Sequence, residues 1–458
     1  MDSSFAKSDK VTIIFQGVNT FLDPGFEIED GELTFVRNMC CHKSPTVLSV
    51  RPGREQFTDP VTTPNAFGTR ENNELHVLDG TTWKRWDGEA WQTVKTDLSN
   101  AAGKFLDFRD ASKVHTILIN GTDRYSWDGS TVTNLTAAPT SKLCVAHRYR
   151  LYWATDNAVQ ASDLSDFKTY PPANIMPVTN AKGSLVAINE YGDHVVVWSP
   201  YSFHEIYGNS PDDWEIVDVS TDIGCLSDRC VVKHASLLWW LDRNGAVYKY
   251  GGGMPAEVGH KIKKYLQNIN LKYKHLCCGA SHKNSIYWSV PMYDSTVNDT
   301  IIEYRSDLDR WYIHDGNIAQ FATIGDKLYG ITNDGAVLDM DSGTDDDGTA
   351  IEWEAITKPF HDLSIDSKKS LRALYVVADV PAGSSLTVSG SRKETGNGES
   401  DFETLYSFTP ANDLQNAQIL IPTNKLQLAN WYRLKFEGSG PCDIYYLHKA
   451  VGKRGGSF

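Results

Sequence analysis

A strand-turn-strand pattern recurs through the middle of the chain at a step of about 42 residues, and no other feature limits the fold as strongly. The stretch Val77-Leu-Asp-Gly-Thr-Thr-Trp-Lys-Arg-Trp-Asp-Gly88 aligns with Leu118-Ile-Asn-Gly-Thr-Asp-Arg-Tyr-Ser-Trp-Asp-Gly129. This lays Trp86-Asp87-Gly88 over Trp127-Asp128-Gly129 and Gly80 over Gly121. A second set covers 151–159, 238–248 and 328–338, with Asn157, Gly245 and Gly335 at the turns. Gly or Asn there supplies the positive φ that a tight hairpin requires. Hairpins begin near residues 75, 115, 151, 194, 237, 285 and 327. Units of this length with several strands and Trp/Gly landmarks mark the blades of a β-propeller, so six or seven blades are expected over 61–350. The Trp-Asp pairs lack the Gly-His partner of WD40 repeats. Two irregular β-sandwiches with chance spacing are the competing arrangement.

The flanks differ from the repeat. Residues 1–60 hold one strand-like run, 11–15, and a Pro/Gly-rich extended arm ending in Val50-Arg-Pro-Gly53. Beyond the acidic turn 339–348 come seven short strands, near 351–356, 371–377, 385–388, 404–408, 417–421, 431–436 and 444–447, which suit a C-terminal β-sandwich over 351–458. The arm is expected to pair with that sandwich. Only 257–269 reads as a helix, an insertion with Ile262, Tyr265, Leu266 and Ile269 at helical spacing. The expected class is therefore all-β.

Charge and cysteine usage narrow the function. The 458 residues carry 44 Lys+Arg against 58 Asp+Glu, a net charge of −14, which opposes phosphate-clamping of DNA and adhesion to anionic membranes. The nearest basic cluster, Lys449 to Arg454, reads as a solvated terminus. No apolar run approaches a membrane span or a secretory signal, which predicts a chain without a membrane anchor that is made and kept in a cytoplasm or carries its address in some other way. The eight cysteines include adjacent pairs, Cys40-Cys41 and Cys277-Cys278, but no Cys-x-x-Cys. Reduced, half-buried thiols are expected rather than a zinc cage.

Catalytic patterns are absent. There is no Gly-x-Ser-x-Gly elbow, phosphate loop, His-Glu-x-x-His or sialidase-type Asp-box, so neither a catalytic residue nor a cofactor is assigned. Asp339, Asp341 and Asp345 form the one candidate metal site, because hard cations take several oxygen ligands. The closing Glu of a helix-loop-helix calcium site is missing, and a solvated turn is the competing reading. Trp239, Trp240 and Trp288 could line a sugar-binding face or pack between blades.

Three stretches carry a family resemblance. The first runs from Gly17-Val-Asn-Thr20 through Asp30-Gly-Glu-Leu33 and Arg37-Asn38 to Val50-Arg-Pro-Gly53. The second is Ser202-Phe-His-Glu-Ile-Tyr-Gly208 with Thr221-Asp-Ile-Gly-Cys225, continuing to 238–248. The third is Asp341 to Ile351, leading into a sandwich that ends in Gly452-Lys-Arg-Gly455. Together they resemble the tail hub or nozzle proteins of short-tailed bacteriophages, also called packaged-DNA stabilisation or tail tubular B-like proteins. The resemblance implies a non-enzymatic virion protein, assembled in the bacterial cytoplasm as a homohexameric ring below the head-to-tail adaptor ring. It would extend the DNA channel, retain the packaged genome and conduct double-stranded DNA outward without tight binding. A tail needle, tip or fibre protein is a further expected partner. On this reading, loss of residues 1–50 leaves a soluble propeller that fails to join particles. A glycan-binding or glycan-degrading propeller serving as a receptor-binding tail component is the alternative, and a monomeric cellular adaptor is a third reading.

Overall fold

The computed structural model describes residues 9–21, 27–362, 368–394 and 398–453. Seven four-stranded antiparallel sheets follow one another along the chain: 64–95, 104–134, 143–177, 187–220, 232–257, 278–315, and 318–339 completed by Glu55–Thr58. Their first strands lie side by side about a common axis, and Pro64–Arg70 meets both Lys104–Arg109 and Ile318–Ile324. The circle is closed, and the chain is a seven-bladed β-propeller.

The repeated hairpins are the second and third strands of these blades, and their residues explain the geometry. The second strands Val114–Ile119, Arg150–Ala154 and His194–Trp198 are buried at every position, because neighbouring blades cover both faces. Trp239, Trp240 and Trp288 belong to this inter-blade packing, at 4%, 0% and 0% exposure. At the Trp-Asp-Gly turns, Asp87 accepts from the backbone N–H groups of Glu89 and Ala90, and Asp128 from those of Ser130 and Thr131. Gly88 and Gly129 then take φ of 106° and 98°. Gly245 and Gly335 are also left-handed, whereas Asn157 is not. Its turn spans only Thr155 to Ala158, one residue fewer than Asp242 to Ala246, so no left-handed position is needed.

Blade seven corrects the domain boundary expected at residue 60. Its outermost strand is Glu55–Thr58, with Glu55 opposite Asp339 and Thr58 opposite Val337. The ring is thus closed by a strand from before the first blade. The 257–269 segment is also corrected. It starts with a strand, Ala256–Glu257, and contains one α-turn, Lys263–Leu266, flanked by 3-10 turns. Ile262, Leu266 and Ile269 are buried as the spacing predicts. Pairing with Tyr248–Lys249 at one end and the Asn270 N–H bond to Pro291 O at the other leave no room for a longer helix.

The sandwich is made from both ends of the chain. One sheet orders Met39–Ser44, Val47–Val50, Asp443–Lys453, Lys369–Val380 and Leu414–Leu420, with Asp9–Ile13 also on Asp443–Lys453. The other orders Leu33–Arg37, Glu352–Thr357, Trp431–Ser439, Leu386–Lys393 and Glu403–Phe408. Phe15 meets Phe436 across the layers with ring centroids 5.5 Å apart. One continuous apolar cluster joins this core to blades four to six, through Trp198, Trp240, Trp288, Trp311 and Trp353. Residues 1–50 are therefore part of the sandwich, to which they supply four strands. No helix among the described residues is long and apolar enough to cross a membrane.

All eight cysteines are free and fully buried rather than half-buried. Of the basic residues near the C-terminus, Lys449 is not solvated: it is 1% exposed, its ammonium 2.5 Å from Asp362 and 3.8 Å over the Phe360 ring. Arg454 and Gly455 lie outside the described residues, as do Pro24 and the first eight residues.

Candidate functional site at the junction of propeller and sandwich

A cavity of about 270 Å³ lies where the arm crosses blades six and seven. Cys40 and His42 reach it from Met39–Ser44, Arg51 and Arg54 from the following turn, and Glu303, Arg305 and His314 from blade six. The arm is held here by Asn38, itself in the left-handed region at φ 58° and 3% exposed. Its side-chain oxygen accepts from Arg51 Nε at 3.1 Å and Asp315 N at 2.9 Å, and its amide donates to Asp315 Oδ2 and Glu352 O, both at 2.8 Å. One side chain thus joins arm, blade six and sandwich with all four hydrogen-bonding positions filled.

The cations of the cavity are mostly neutralised in pairs. Arg51 binds Asp346 through both carboxylate oxygens at 2.8 and 2.5 Å, Arg305 binds Asp307 at 3.0 and 2.9 Å, and Lys283 binds Asp341. Arg54 is the exception. It is 7% exposed, donates to Asp315 O at 2.7 Å, and has no ion pair with any carboxylate among the described residues. Burial, with Arg51 alongside, lowers its ionisation to about 9.

Glu303 sits 3% exposed on the wall. It accepts from Ser285 at 2.6 Å and Tyr287 at 3.3 Å on one oxygen, and lies 2.8 Å from His314 Nε2 on the other. Glu303 stands opposite Tyr312 in the ladder, so His314 is its diagonal neighbour, within reach of a long side chain. Burial pushes the Glu303 carboxyl up, but the His314 and Ser285 hydrogen bonds outweigh it and hold it below its ordinary value. Burial pulls the His314 ring down despite Glu303. The pair is a neutral imidazole donating to a carboxylate. Burial also raises the Cys40 thiol well above its ordinary value, so it is protonated at neutral pH and no nucleophile.

The acidic turn does not form the candidate metal site. Asp339 binds Lys327 at 2.7 Å, Asp341 binds Lys283, and Asp345 accepts from Gly348 N at 2.6 Å. Among the described residues these three do not bring their oxygens together; the three-residue group that does converge is Cys40, Glu303 and His314. The turn is instead a docking strip for the arm, with Gly53 N bonded to Gly343 O and Arg54 N to Asp345 O. A Cβ on Gly53 would lie 2.1 Å from Asp345 O. Gly53→Ala is therefore expected to cost about 2–3 kcal/mol by forced separation of two backbone segments, read as a lower urea midpoint with an unchanged slope. An unchanged midpoint would show that the strip yields freely.

A second constellation has the order of a hydrolase triad. Ser202 Oγ lies 2.8 Å from His204 Nε2, and His204 Nδ1 2.7 Å from Asp218 Oδ1. Ser202 and His204 are both 0% exposed, and the Ser202 hydroxyl also meets Ser199 Oγ and Lys182 N. No substrate carbonyl can approach that oxygen, so the network fastens blade four. The central channel, about 410 Å³, mixes signs: Lys104 pairs with Asp228, and Glu190 with Lys233 and His147.

Neither a protein-family model nor a curated protein sequence matches the chain. Among solved structures, streptogramin B lyase superposes with a TM-score of 0.45 at 9% identity over 62% of this chain and 96% of that one. The computationally designed Ika8 protein does so at 0.39 and 11%, over 62% and 98%. PorZ, a surface component of the type-IX secretion system of Porphyromonas gingivalis, gives 0.40 and 8%, over 69% and 44%. The likeness is one of fold alone.

Sequence reasoning brought Asn38, Arg51, Pro52 and Gly53 forward only within the family-like stretches, Cys40 only as one of an adjacent pair and Asp341 only in the acidic turn, and it did not join them into a site. Ser202-Phe-His204 was visible as a spacing, because alternate strand residues share a face. The meeting of Glu303 and His314 with Cys40 had no local signal, since it depends on pairing across more than 250 residues.

Two ion pairs set the acid limit of the fold. His282, 3.9 Å away, and the Lys283 ammonium hold Asp341 at about 2, and His147 and Lys233 hold Glu190 at about 2. Both folded values lie below the ordinary ones. Their stabilisation is thus complete above those ordinary values and lost as pH falls from about 4.5 towards 2. Urea midpoints are expected to decline over that window, and equal midpoints at about pH 5 and 2.5 would refute the assignment.

Proposed function

We propose that the chain is a structural subunit of a short-tailed bacteriophage tail, a hub or nozzle protein. On this reading it forms a six-fold ring below the head-to-tail adaptor, extends the DNA channel, retains the genome and conducts it during ejection. The supporting observation is the exposed side of the sandwich. The edges Leu33–Arg37 and Met39–Ser44 lie against blade six, while Glu403–Phe408 and Leu414–Leu420 end their sheets with no strand beyond them among the described residues. Leu420 is 57% exposed on the second of these. Free edges invite pairing with another chain, and a closed ring of identical subunits satisfies every such edge. The sequence resemblance at 17–53, 202–248 and 341–351 points the same way, and a net charge of −14 per subunit suits a wall that does not retain DNA.

The glycan-binding alternative is less well supported. The 13 tryptophans are buried or half-buried, and none stands out as a fully exposed indole platform for a sugar. The reading is tested by mass photometry of the intact protein with its adaptor ring, and by electron microscopy of tails. A ring of six 51.1 kDa chains is expected. Leu420→Lys should leave the thermal transition in place and abolish the ring. A monomer on isolated tails, or its absence from them, would overturn the proposal.

A further inference from the structure

We propose that Cys40, Glu303 and His314 form a divalent transition-metal site, suited to zinc, that clamps the N-terminal arm to blade six. The three side chains are buried, and their ligand atoms lie within 4.8 Å of one another. Sulfur, imidazole nitrogen and carboxylate oxygen are zinc's usual donors, and bonds of about 2.0–2.3 Å require these atoms to draw in by roughly 1 Å. His314 is 3% exposed and presents Nε2 to the Glu303 carboxylate at 2.8 Å, so this nitrogen is the one that faces the cluster. Ser285 and Tyr287 already hold the other face of the Glu303 carboxylate, the arrangement that orients metal ligands from behind.

The charges can be balanced. Binding releases the Cys40 proton to solvent, so a thiolate and a carboxylate offset the divalent ion. The remaining coordination position is supplied from the cavity. Arg54, which lines the same cavity without a carboxylate partner, favours an anion there, hydroxide or a small inorganic ion. The site would tie strand Met39–Ser44 to strands Thr300–Arg305 and Arg310–Asp315, closing the junction that Asn38 also spans. It has no spacing motif, because its ligands come from two structural units. The inference is independent of the ring reading.

The test uses the full chain produced in zinc- or cobalt-supplemented medium. Elemental analysis is expected to give about one zinc per chain, and the cobalt form a near-ultraviolet thiolate-to-metal band. Cys40→Ser should remove the band, and His314→Gln should weaken zinc binding at least about tenfold. Cys442→Ser, elsewhere in the sandwich, should change neither. Folded wild-type protein that retains no zinc and shows no thiolate band overturns the proposal, as does a band that persists in Cys40→Ser. Should Cys40→Ser fail to fold, the wild-type cobalt spectrum and the His314→Gln titration decide.

Discussion

A chain beginning at residue 59 is expected to lack any cooperative unfolding transition, and one beginning at residue 51 to keep a single transition of lower enthalpy. The difference lies in Glu55–Thr58. Without it, Val337–Asp339 becomes an open edge and blade seven, which closes the circle against blade one, keeps three strands. Both truncations also remove Asp9–Ile13, Leu33–Arg37, Met39–Ser44 and Val47–Val50. With them go Phe15, Leu33, Val36, Met39 and Leu48, all at 0–1% exposure. At about 1.5–3 kcal/mol for each large buried side chain, that loss rivals the whole stability of an ordinary domain. Calorimetry should give a single transition for the intact chain, a lower-enthalpy one for 51–458 and none for 59–458. A soluble 59–458 melting within a few degrees of the intact protein would show that the closing strand and the arm are dispensable.

This prediction rests on a pairing that local sequence patterns cannot reveal. The hairpin starts coincided with the middle strands of all seven blades, because turn chemistry at Gly80, Gly121, Gly245 and Gly335 and buried apolar runs are local properties. Glu55–Thr58 is different: three of its four residues are exposed, and its partner lies some 280 residues away. Its strand character comes from the edge it completes rather than from its own side chains. The 257–269 segment misleads in the opposite sense. Its apolar spacing is helical and its apolar residues are buried, but tertiary hydrogen bonds at both ends allow only one α-turn. The acidic turn resembles a calcium loop until partners are counted, because Lys283 and Arg51 are distant in sequence from the carboxylates they neutralise and Lys327 reaches Asp339 across a blade. Charge runs announce themselves; their counter-charges do not.

The second large effect is expected at Asn38. Asn38→Ala removes four buried side-chain hydrogen bonds at once and leaves Arg51 Nε, Asp315 N and Glu352 O without their partner. Each net bond is worth about 1 kcal/mol and an abandoned buried group more, and alanine at φ 58° adds about 1 kcal/mol of backbone strain. A loss of about 4–5 kcal/mol follows. Asn38→Gly forfeits the same bonds but accepts the backbone, so it should be about 1 kcal/mol milder than alanine. Asn38→Asp keeps the acceptor for Arg51 and Asp315 N but sets a carboxylate 2.8 Å from Asp315 Oδ2 where an amide donor stood. It should therefore be rescued by Asp315→Asn, whereas Asn38→Ala should not. Urea midpoints of the four variants measure this. If the alanine and glycine variants lose less than about 1 kcal/mol, or the double substitution gives no recovery, the arm is anchored elsewhere than at Asn38.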